Sequence, residues 1–247
     1  MNSFSNFFQK KIPSLADLSE LKTDIHSHLI PGIDDGSQSI EESISMIQSL
    51  KALKLEKLIT TPHINYYYPK NTSELILNGL SNLNDALINA DISITIEAAA
   101  EYMIDDGFEE KFLKGDLLTF GKKYLLVELS FHFPPLNLIP LLFKFQLEGY
   151  KIVLAHPERY VYWHNSFNVY EDLKNRGILF QINFVSLTGF YSHQIKRMAE
   201  KLIDNNMVDF VGSDLHHIAH LDLIKDALTE QYFIRLLSNP QLLNKTL

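Results

Sequence analysis

Short apolar runs alternate with segments of helical periodicity from residue 21 to the C-terminus. The apolar runs predict strands, and the segments with apolar residues at three- and four-residue spacing predict helices. Because most strands are followed by a helix, the pattern predicts a parallel sheet with helical crossovers. About seven strands are expected, in the runs LKTDIHSHL, EKLITTPHI, DISITIEAAAEYM, YLLVELSF, KIVLAHPE, ILFQINFV and MVDFVGSD.

Local signals set the expected ends of several helices. Ser39 is the predicted N-cap of a helix in SIEESISMIQSLKALK, because Glu42 follows at the spacing of a capping box. A second helix is expected over residues 72–90, and Gly149 and Gly177 are expected to close two more. The segment LDLIKDALTEQYFIRLLS is predicted to form one last helix.

Polar residues lie at the carboxyl ends of the predicted strands. In a parallel barrel these ends meet on one rim, where such folds build their active sites. An open doubly wound sheet gives the same alternation but spreads the strand ends along a line, so a shared cluster favours the barrel. The set consists of His26, His28, His63, Glu101, Glu128, His156, Asp214 and His216.

These residue types are typical metal ligands. A single histidine at a strand end is most often a capping or packing residue, but His26 and His28 alternate on a strand and so share one face. Glu128 lies within an apolar run, where an unpaired carboxylate is costly. Imidazoles and carboxylates without sulfur suit manganese, iron, zinc or magnesium.

The charge balance indicates how many ions such a site would hold. Four carboxylates would bring about four negative charges to the site: Asp35, Glu101, Glu128 and Asp214. One divalent ion would leave the site strongly anionic. Three ions would leave about two positive charges, which suits a phosphate dianion. A hydroxide bridging such ions is a nucleophile near neutral pH.

Further polar residues lie near the predicted rim. Arg159 in HPERY follows a candidate ligand by three residues and is predicted either to bind phosphate oxygens or to pair with a neighbouring acid. His217 and His220 lie close to His216 and are interpreted as neighbours of the ligands or as substrate contacts.

Composition narrows the class of protein. The chain has 247 residues, no cysteine and a net charge of −8. The length fits one barrel-sized domain, predicted over residues 21–247 behind an N-terminal arm at 1–20. The charge argues against binding to nucleic acid. The absence of cysteine excludes thiol nucleophiles, and with no apolar run long enough to span a bilayer it favours a cytoplasmic protein that is not embedded in a membrane.

Six motifs occur in an order that resembles a known family. DIHSHLIPGIDDG, TTPH, EAAAEYM, LVELS, LAHPERY and GSDLHH resemble the motifs of the polymerase and histidinol phosphatase (PHP) superfamily. More narrowly, they are similar to those of its bacterial tyrosine-protein phosphatases of capsule and exopolysaccharide operons, the CpsB/YwqE type. The resemblance implies an α/β fold, a distorted seven-stranded, TIM-like (β/α) barrel, with a site for three divalent ions, usually manganese.

The resemblance also assigns roles to residues. Arg159 matches the phosphate-binding arginine of the family, and Asp34 is a candidate proton donor. Relatives often carry a second arginine after the last motif, where this chain has Ala219. If that arginine helps to bind substrate, its replacement implies weaker binding of phosphotyrosine peptides or a preference for another phosphoester. The implied ligands are His26, His28, Asp35, His63, Glu101, Glu128, His156, Asp214 and His216.

The function implied is a metal-dependent phosphomonoesterase that hydrolyses phosphotyrosine on a partner kinase of polysaccharide export, by attack of a metal-bridging hydroxide. One alternative is a small-molecule phosphatase, such as one acting on histidinol phosphate, or a phosphodiesterase. A second alternative is an amidohydrolase, which also begins with His-x-His on a barrel strand and ends with an Asp. A third is a binding or regulatory protein without activity, against which the complete ligand set argues.

Overall fold

The computed structural model describes residues 18–105 and 107–247. Within these ranges nine strands alternate with eight α-helices, which confirms the predicted α/β class. The strands are β1 Thr23–Asp24, β2 Lys57–Thr60, β3 His63–Ile64, β4 Thr95–Ala98, β5 Glu101–Met103, β6 Tyr124–Glu128, β7 Lys151–Ala155, β8 Leu179–Asn183 and β9 Phe210–Gly212. The helices are α1 Ile40–Ala52, α2 Ser73–Asn89, α3 Phe108–Leu113, α4 Leu138–Leu147, α5 Asn168–Asn175, α6 His193–Asp204, α7 His220–Ala227 and α8 Gln231–Leu237.

The strands form two sheets, and neighbouring strands within each sheet are parallel. One sheet has the order β1-β2-β4 and the other has the order β3-β5-β6-β7-β8-β9. A single closed barrel of seven strands is therefore not confirmed. Residues 61–62 separate β2 from β3, where Pro62 has no N–H to donate to a ladder, and residues 99–100 separate β4 from β5.

Hydrogen bonds continue across these interruptions. Thr61 N donates to Ser27 O at 2.7 Å, and Glu101 N donates to Pro62 O at 3.1 Å. The segment after β1 also meets the segment after β9, since Ser27 and Leu215 form a parallel bridge. The carboxyl ends of the first and last strands are consequently neighbours.

Alternation along the strands places the site on the inner face of the sheet. On β6, Leu125 and Val127 lie in the large core beneath the helices, whereas Leu126 lies in a smaller core cluster on the opposite face. Glu128 is two residues beyond Leu126 and so points to the same side. On β7, Val153 and Ala155 likewise belong to the smaller cluster. The smaller cluster therefore forms an apolar layer beneath the polar strand ends.

Most of the predicted helix ends agree with the structure. The Ser39 side chain accepts from Glu42 N at the start of α1, which confirms the predicted cap. Gly149 and Gly177 follow helices with φ of 84° and 79°, a conformation that favours glycine. The prediction of one last helix is wrong, because Glu230 takes an extended conformation and separates α7 from α8.

The ends of the described chain bear on two further predictions. Leu18 is fully buried in the large core, while residues 1–17 of the predicted arm lie outside the described residues. Among the residues that the structure describes, no helix combines the length and apolarity needed to cross a bilayer.

Candidate metal centre

Two side chains fix the orientation of the first histidine pair. His26 Nδ1 lies 2.8 Å from Gln181 Oε1, and His28 Nδ1 lies 2.8 Å from Asp34 Oδ2. Because an amide oxygen and a carboxylate only accept, both histidines donate through Nδ1. The Nε2 atom of each ring is therefore free to bind a metal ion, an arrangement that is common behind histidine ligands.

Glu101 is the buried centre of the cluster. Its Oε2 atom lies 3.1 Å from His26 Nε2, 3.6 Å from His28 Nε2 and 3.1 Å from His63 Nδ1. Its Oε1 atom lies 3.0 Å from His156 Nε2. One carboxylate at the start of β5 thus faces two histidines that follow β1, one that begins β3 and one that follows β7.

Glu128 and Asp35 complete the side of the cluster nearest to His63. Glu128 Oε1 lies 3.2 Å from His63 Nδ1, and Asp35 Oδ1 lies 3.5 Å from His63 Nε2. Asp35 Oδ1 is also 3.7 Å from His216 Nε2. The Asp35 side chain is 56% exposed, so it closes the cluster on the solvent side.

Asp214 occupies the opposite side. Its Oδ1 atom lies 3.3 Å from His26 Nε2, and its Oδ2 atom accepts from Arg159 Nη1 at 3.1 Å. Asp214 and His156 have φ of 49° and 35°, which is uncommon for residues with a Cβ atom. Such backbone conformations cluster at functional sites, where the surrounding structure enforces them.

The structure brings all nine predicted ligands into four groups of donor atoms. Within each group, the donor atoms lie within 4.8 Å of one another. The groups are His28, Asp35, His63 and His216; His26, His28 and Asp214; His26, Glu101 and His156; and His63, Glu101 and Glu128.

Several of these buried donor atoms have no hydrogen-bond partner. They are His26 Nε2, His28 Nε2, His63 Nδ1 and Glu101 Oε2. A buried polar atom without a partner is costly, and four of them facing one another are what a metal site requires. The residues present therefore fit divalent metal ions.

Mutual electrostatics support the same interpretation. Burial disfavours the charged form of His26, but Glu101 and Asp214 outweigh it and raise the His26 pKa to about 10. Burial also disfavours the charged form of His63, but Glu101 and Glu128 outweigh it and raise the His63 pKa to about 10. In the absence of metal, protons on these imidazoles thus provide the positive charge that the carboxylates attract.

A cleft of about 280 Å³ opens above the cluster. Arg159 lines it, with its guanidinium carbon 4.5 Å from the centre of the Phe131 ring and 4.3 Å from that of Tyr191. His217 and His220 line the same cleft.

Asp34 lies behind the cluster and does not line the cleft. Its carboxylate accepts from Gly36 N and His63 N, each at 3.0 Å, and from the His28 ring. Burial favours the neutral carboxyl group, but His28 and His63 outweigh it and hold the Asp34 pKa below its ordinary value. This geometry does not suit the predicted role of proton donor; it suits an acceptor that orients His28.

Three residues near the site were missed by the sequence analysis. Gln181 orients His26, and Asn183 Nδ2 donates to Asp214 Oδ2 at 2.6 Å. Glu158 Oε1 accepts from Asn183 N and from Ser186 Oγ. The available signal was the run ILFQINFV, in which Gln181 and Asn183 are alternate polar residues inside an otherwise apolar strand.

Known proteins resemble this chain over most of its length. It is 32% identical over 196 residues to tyrosine-protein phosphatase YwqE of Bacillus subtilis, covering 79% of this chain and 77% of that protein. It is 27% identical over 217 residues to tyrosine-protein phosphatase CpsB of Streptococcus agalactiae, covering 85% of this chain and 88% of that protein.

A solved structure has the same fold. It comes from work on YwqE from Bacillus subtilis and CpsB from Streptococcus pneumoniae, described as unique metal-dependent tyrosine phosphatases. The match has a TM-score of 0.80 at 29% identity and covers 91% of this chain and 94% of that one. The family model described as capsular polysaccharide synthesis, CpsB/CapC, matches residues 22–224. Since that match spans most of the sequence, the chain belongs to the CpsB/CapC family of capsular polysaccharide synthesis.

Proposed function

We propose that this protein is a metal-dependent protein-tyrosine phosphatase that hydrolyses phosphotyrosine on a kinase of capsular or exopolysaccharide synthesis. The observation that carries the proposal is the convergence of nine histidine and carboxylate side chains beneath one cleft. Family membership adds the reaction class, because relatives over most of the chain are named tyrosine-protein phosphatases.

The proposed cofactor is a set of three divalent ions, with manganese first and iron, zinc or magnesium as alternatives. Divalent ions would supply Lewis acidity and would activate water near neutral pH. Three of them would convert about four carboxylate charges into a net charge of about two positive, which attracts a phosphate dianion. The proposed ligands are His26, His28, Asp35, His63, Glu101, Glu128, His156, Asp214 and His216.

Arg159 is proposed to bind the phosphoryl group. A guanidinium has five N–H donors, so the bond from Nη1 to Asp214 leaves others for phosphoryl oxygens. The rings of Phe131 and Tyr191 on either side hold its plane in place, which reduces the entropy lost on binding. Charge that develops on the phosphoryl oxygens would meet a donor already in position. His217 and His220, at the same cleft, are proposed as further substrate contacts.

The remaining structural proposals follow from the same arrangement. We infer that the two sheets together form a distorted seven-stranded, TIM-like barrel. Strand β2 continues into β3, and β4 into β5, across a short interruption, so each of these pairs counts as one strand of the barrel. Residues 21–247 are proposed as a single domain, with residues 1–20 as an arm. A cytoplasmic location is proposed, since that is where a kinase finds its ATP.

The test is metal-dependent turnover of a phosphotyrosine peptide. Protein treated with EDTA is expected to lose activity, and Mn²⁺ is expected to restore it. Replacing Glu101 by Gln removes the carboxylate that faces four of the histidine ligands. The value of kcat should therefore fall by at least about a thousandfold. Turnover that survives EDTA would contradict the proposal.

The same assay separates the alternative activities. Histidinol phosphate, a phosphodiester and a phosphotyrosine peptide are compared at equal concentration with Mn²⁺ present. We expect the highest kcat/KM on the phosphotyrosine peptide. A higher value on histidinol phosphate or on the diester would assign the site to a small-molecule phosphatase or a phosphodiesterase.

A further inference from the structure

Two phenylalanine side chains in the cleft have no part in the chemistry described above. Phe131 is 42% exposed and Phe190 is 54% exposed, and both line the cleft. The rest of the lining consists mainly of carboxylates, imidazoles and Arg159. Because a benzyl side chain neither donates nor accepts hydrogen bonds, these rings cannot bind metal, phosphate or water directly.

Both rings are held by neighbouring polar or aromatic groups. The Phe131 ring lies 5.5 Å from the His156 ring, inclined to it by 30°, and carries the Arg159 guanidinium on one face. The Phe190 ring packs edge-on against Tyr191 at 5.4 Å and lies 6.1 Å from the His220 ring. The rings of Phe131, Tyr191 and Phe190, joined through the Arg159 guanidinium, therefore form one continuous wall beside the proposed phosphate-binding position.

We infer that Phe131 and Phe190 are the specificity-determining residues that bind the aryl ring of the substrate and select aryl over alkyl phosphomonoesters. The inference rests on the proposed phosphatase function. With the phosphoryl group at Arg159 and the ligand cluster, the carbon side of the ester bond must point towards the solvent side of the cleft. There, a phenyl ring can stack on exposed aromatic faces and remove apolar surface from water. The short methylene stem of phosphoserine offers no ring to make these contacts.

Phe190→Leu is the sharper of the two tests. Leucine keeps an apolar side chain of similar reach but removes the ring face, and Phe190 is half exposed, so folding should be retained. Phe131 also contacts the ring of His156 and the guanidinium of Arg159, so replacing it would disturb catalysis as well. Phe133→Leu is the matched control. Phe133 lies in the segment after β6 that also carries Phe131, but it is 68% exposed and does not line the cleft.

The experiment compares kcat/KM for a phosphotyrosine peptide and for the same peptide with phosphoserine, with Mn²⁺ present. We expect Phe190→Leu to lower the phosphotyrosine value about tenfold, which corresponds to about 1.4 kcal/mol. The phosphoserine value should change less than about twofold, as should both values for Phe133→Leu. Benzylphosphonate should lose affinity for Phe190→Leu in parallel, while methylphosphonate should not, a comparison that needs no turnover.

Two results would overturn the inference. An equal loss on both peptides would mean that Phe190 only supports the neighbouring Tyr191 and Arg159. An unchanged kcat/KM on both peptides would mean that the ring does not contact the substrate. Failure of the proposed function gives a different result, since the unsubstituted protein would then hydrolyse neither peptide.

Discussion

Asp34 and Asp35 are neighbours in the chain, yet their carboxylates face different parts of the site. Asp35 is half exposed and closes the solvent side of the donor cluster, 3.5 Å from His63. Asp34 is buried and accepts from the His28 ring and from two backbone N–H groups. The motif DDG predicts that one aspartate reaches the metals; the tertiary contacts give the other a role in orienting a ligand.

Asp34→Asn tests this role. Asp34 accepts through both oxygens, Oδ1 from Gly36 N and Oδ2 from His28 Nδ1 and His63 N, whereas Asn has one acceptor oxygen and an NH2 group that only donates. One set of these donors must then face the NH2 group, so the bond that orients the His28 ring should be weakened or lost. Loss of such a partner usually costs about 10–100-fold in metal affinity. We expect a loss of that size, measured by competition of Mn²⁺ with a chelator. Asp222→Asn, on an 88% exposed side chain, is the control; equal affinity in both variants would refute an orienting role.

At the scale of elements, one buried carboxylate joins three segments of the rim. Glu158 lies in the short 3-10 helix Pro157–Arg159, between His156 and Arg159. It accepts from Asn183 N at the end of β8 at 2.9 Å and from Ser186 Oγ at 2.6 Å. Burial raises the pKa of Glu158, which means that its charged form depends on these donors. The contact therefore holds the loop that carries Arg159 against the next strand end.

Ser186→Ala should reveal the contribution of this contact. Removing a donor from a buried carboxylate costs about 1–3 kcal/mol in the free energy of unfolding, and the Arg159 loop should become less well placed, so kcat/KM should also fall. Ser49→Ala is the matched control, because the Ser49 hydroxyl donates to Ser45 O within α1, away from the rim. Urea unfolding measures both variants. If the two lost equal stability, Glu158 would not act as a brace.

At the scale of the whole molecule, the strand ends gather acids and imidazoles that balance one another in the absence of metal. His26 and His63 each have a pKa of about 10, so both are protonated at neutral pH. Since the raised pKa lies above the ordinary value of 6.5, these ion pairs stabilise the metal-free protein below pH 6.5 and are lost as pH rises through 10. Metal ligands must be deprotonated, so ions and protons compete for the same atoms.

This competition predicts the pH dependence of metal binding. If both imidazoles release a proton, the apparent association constant for Mn²⁺ should rise with pH between 6 and 8, by up to about 100-fold per unit. Thermal unfolding with and without Mn²⁺ should show a larger increase in Tm at pH 8 than at pH 6. His63→Gln should reduce the pH slope, because it removes one of the two protons. A Tm increase independent of pH would exclude proton displacement.

The limits of prediction differ between the elements and the site. Strands and helices could be placed because alternation, caps such as Ser39 and terminal glycines such as Gly177 act locally. The break between α7 and α8 was missed, since the apolar period continues through it while the backbone turns at Glu230. Eight of the nine candidate ligands could be found because parallel strands present their carboxyl ends on one rim, and Asp35 was added by the resemblance of the DDG motif.

By itself, the sequence determined the order of parallel strands and the residue types at their ends, because both follow from periodicity and motif spacing along the chain. Only the tertiary structure decided which way each side chain faces. It turned Asp34 behind His28, placed Gln181 and Asn183 against ligands from other strands, and set Arg159 between two aromatic rings. Such contacts join residues far apart in the chain, so they depend on how the strands and helices pack and not on any local preference.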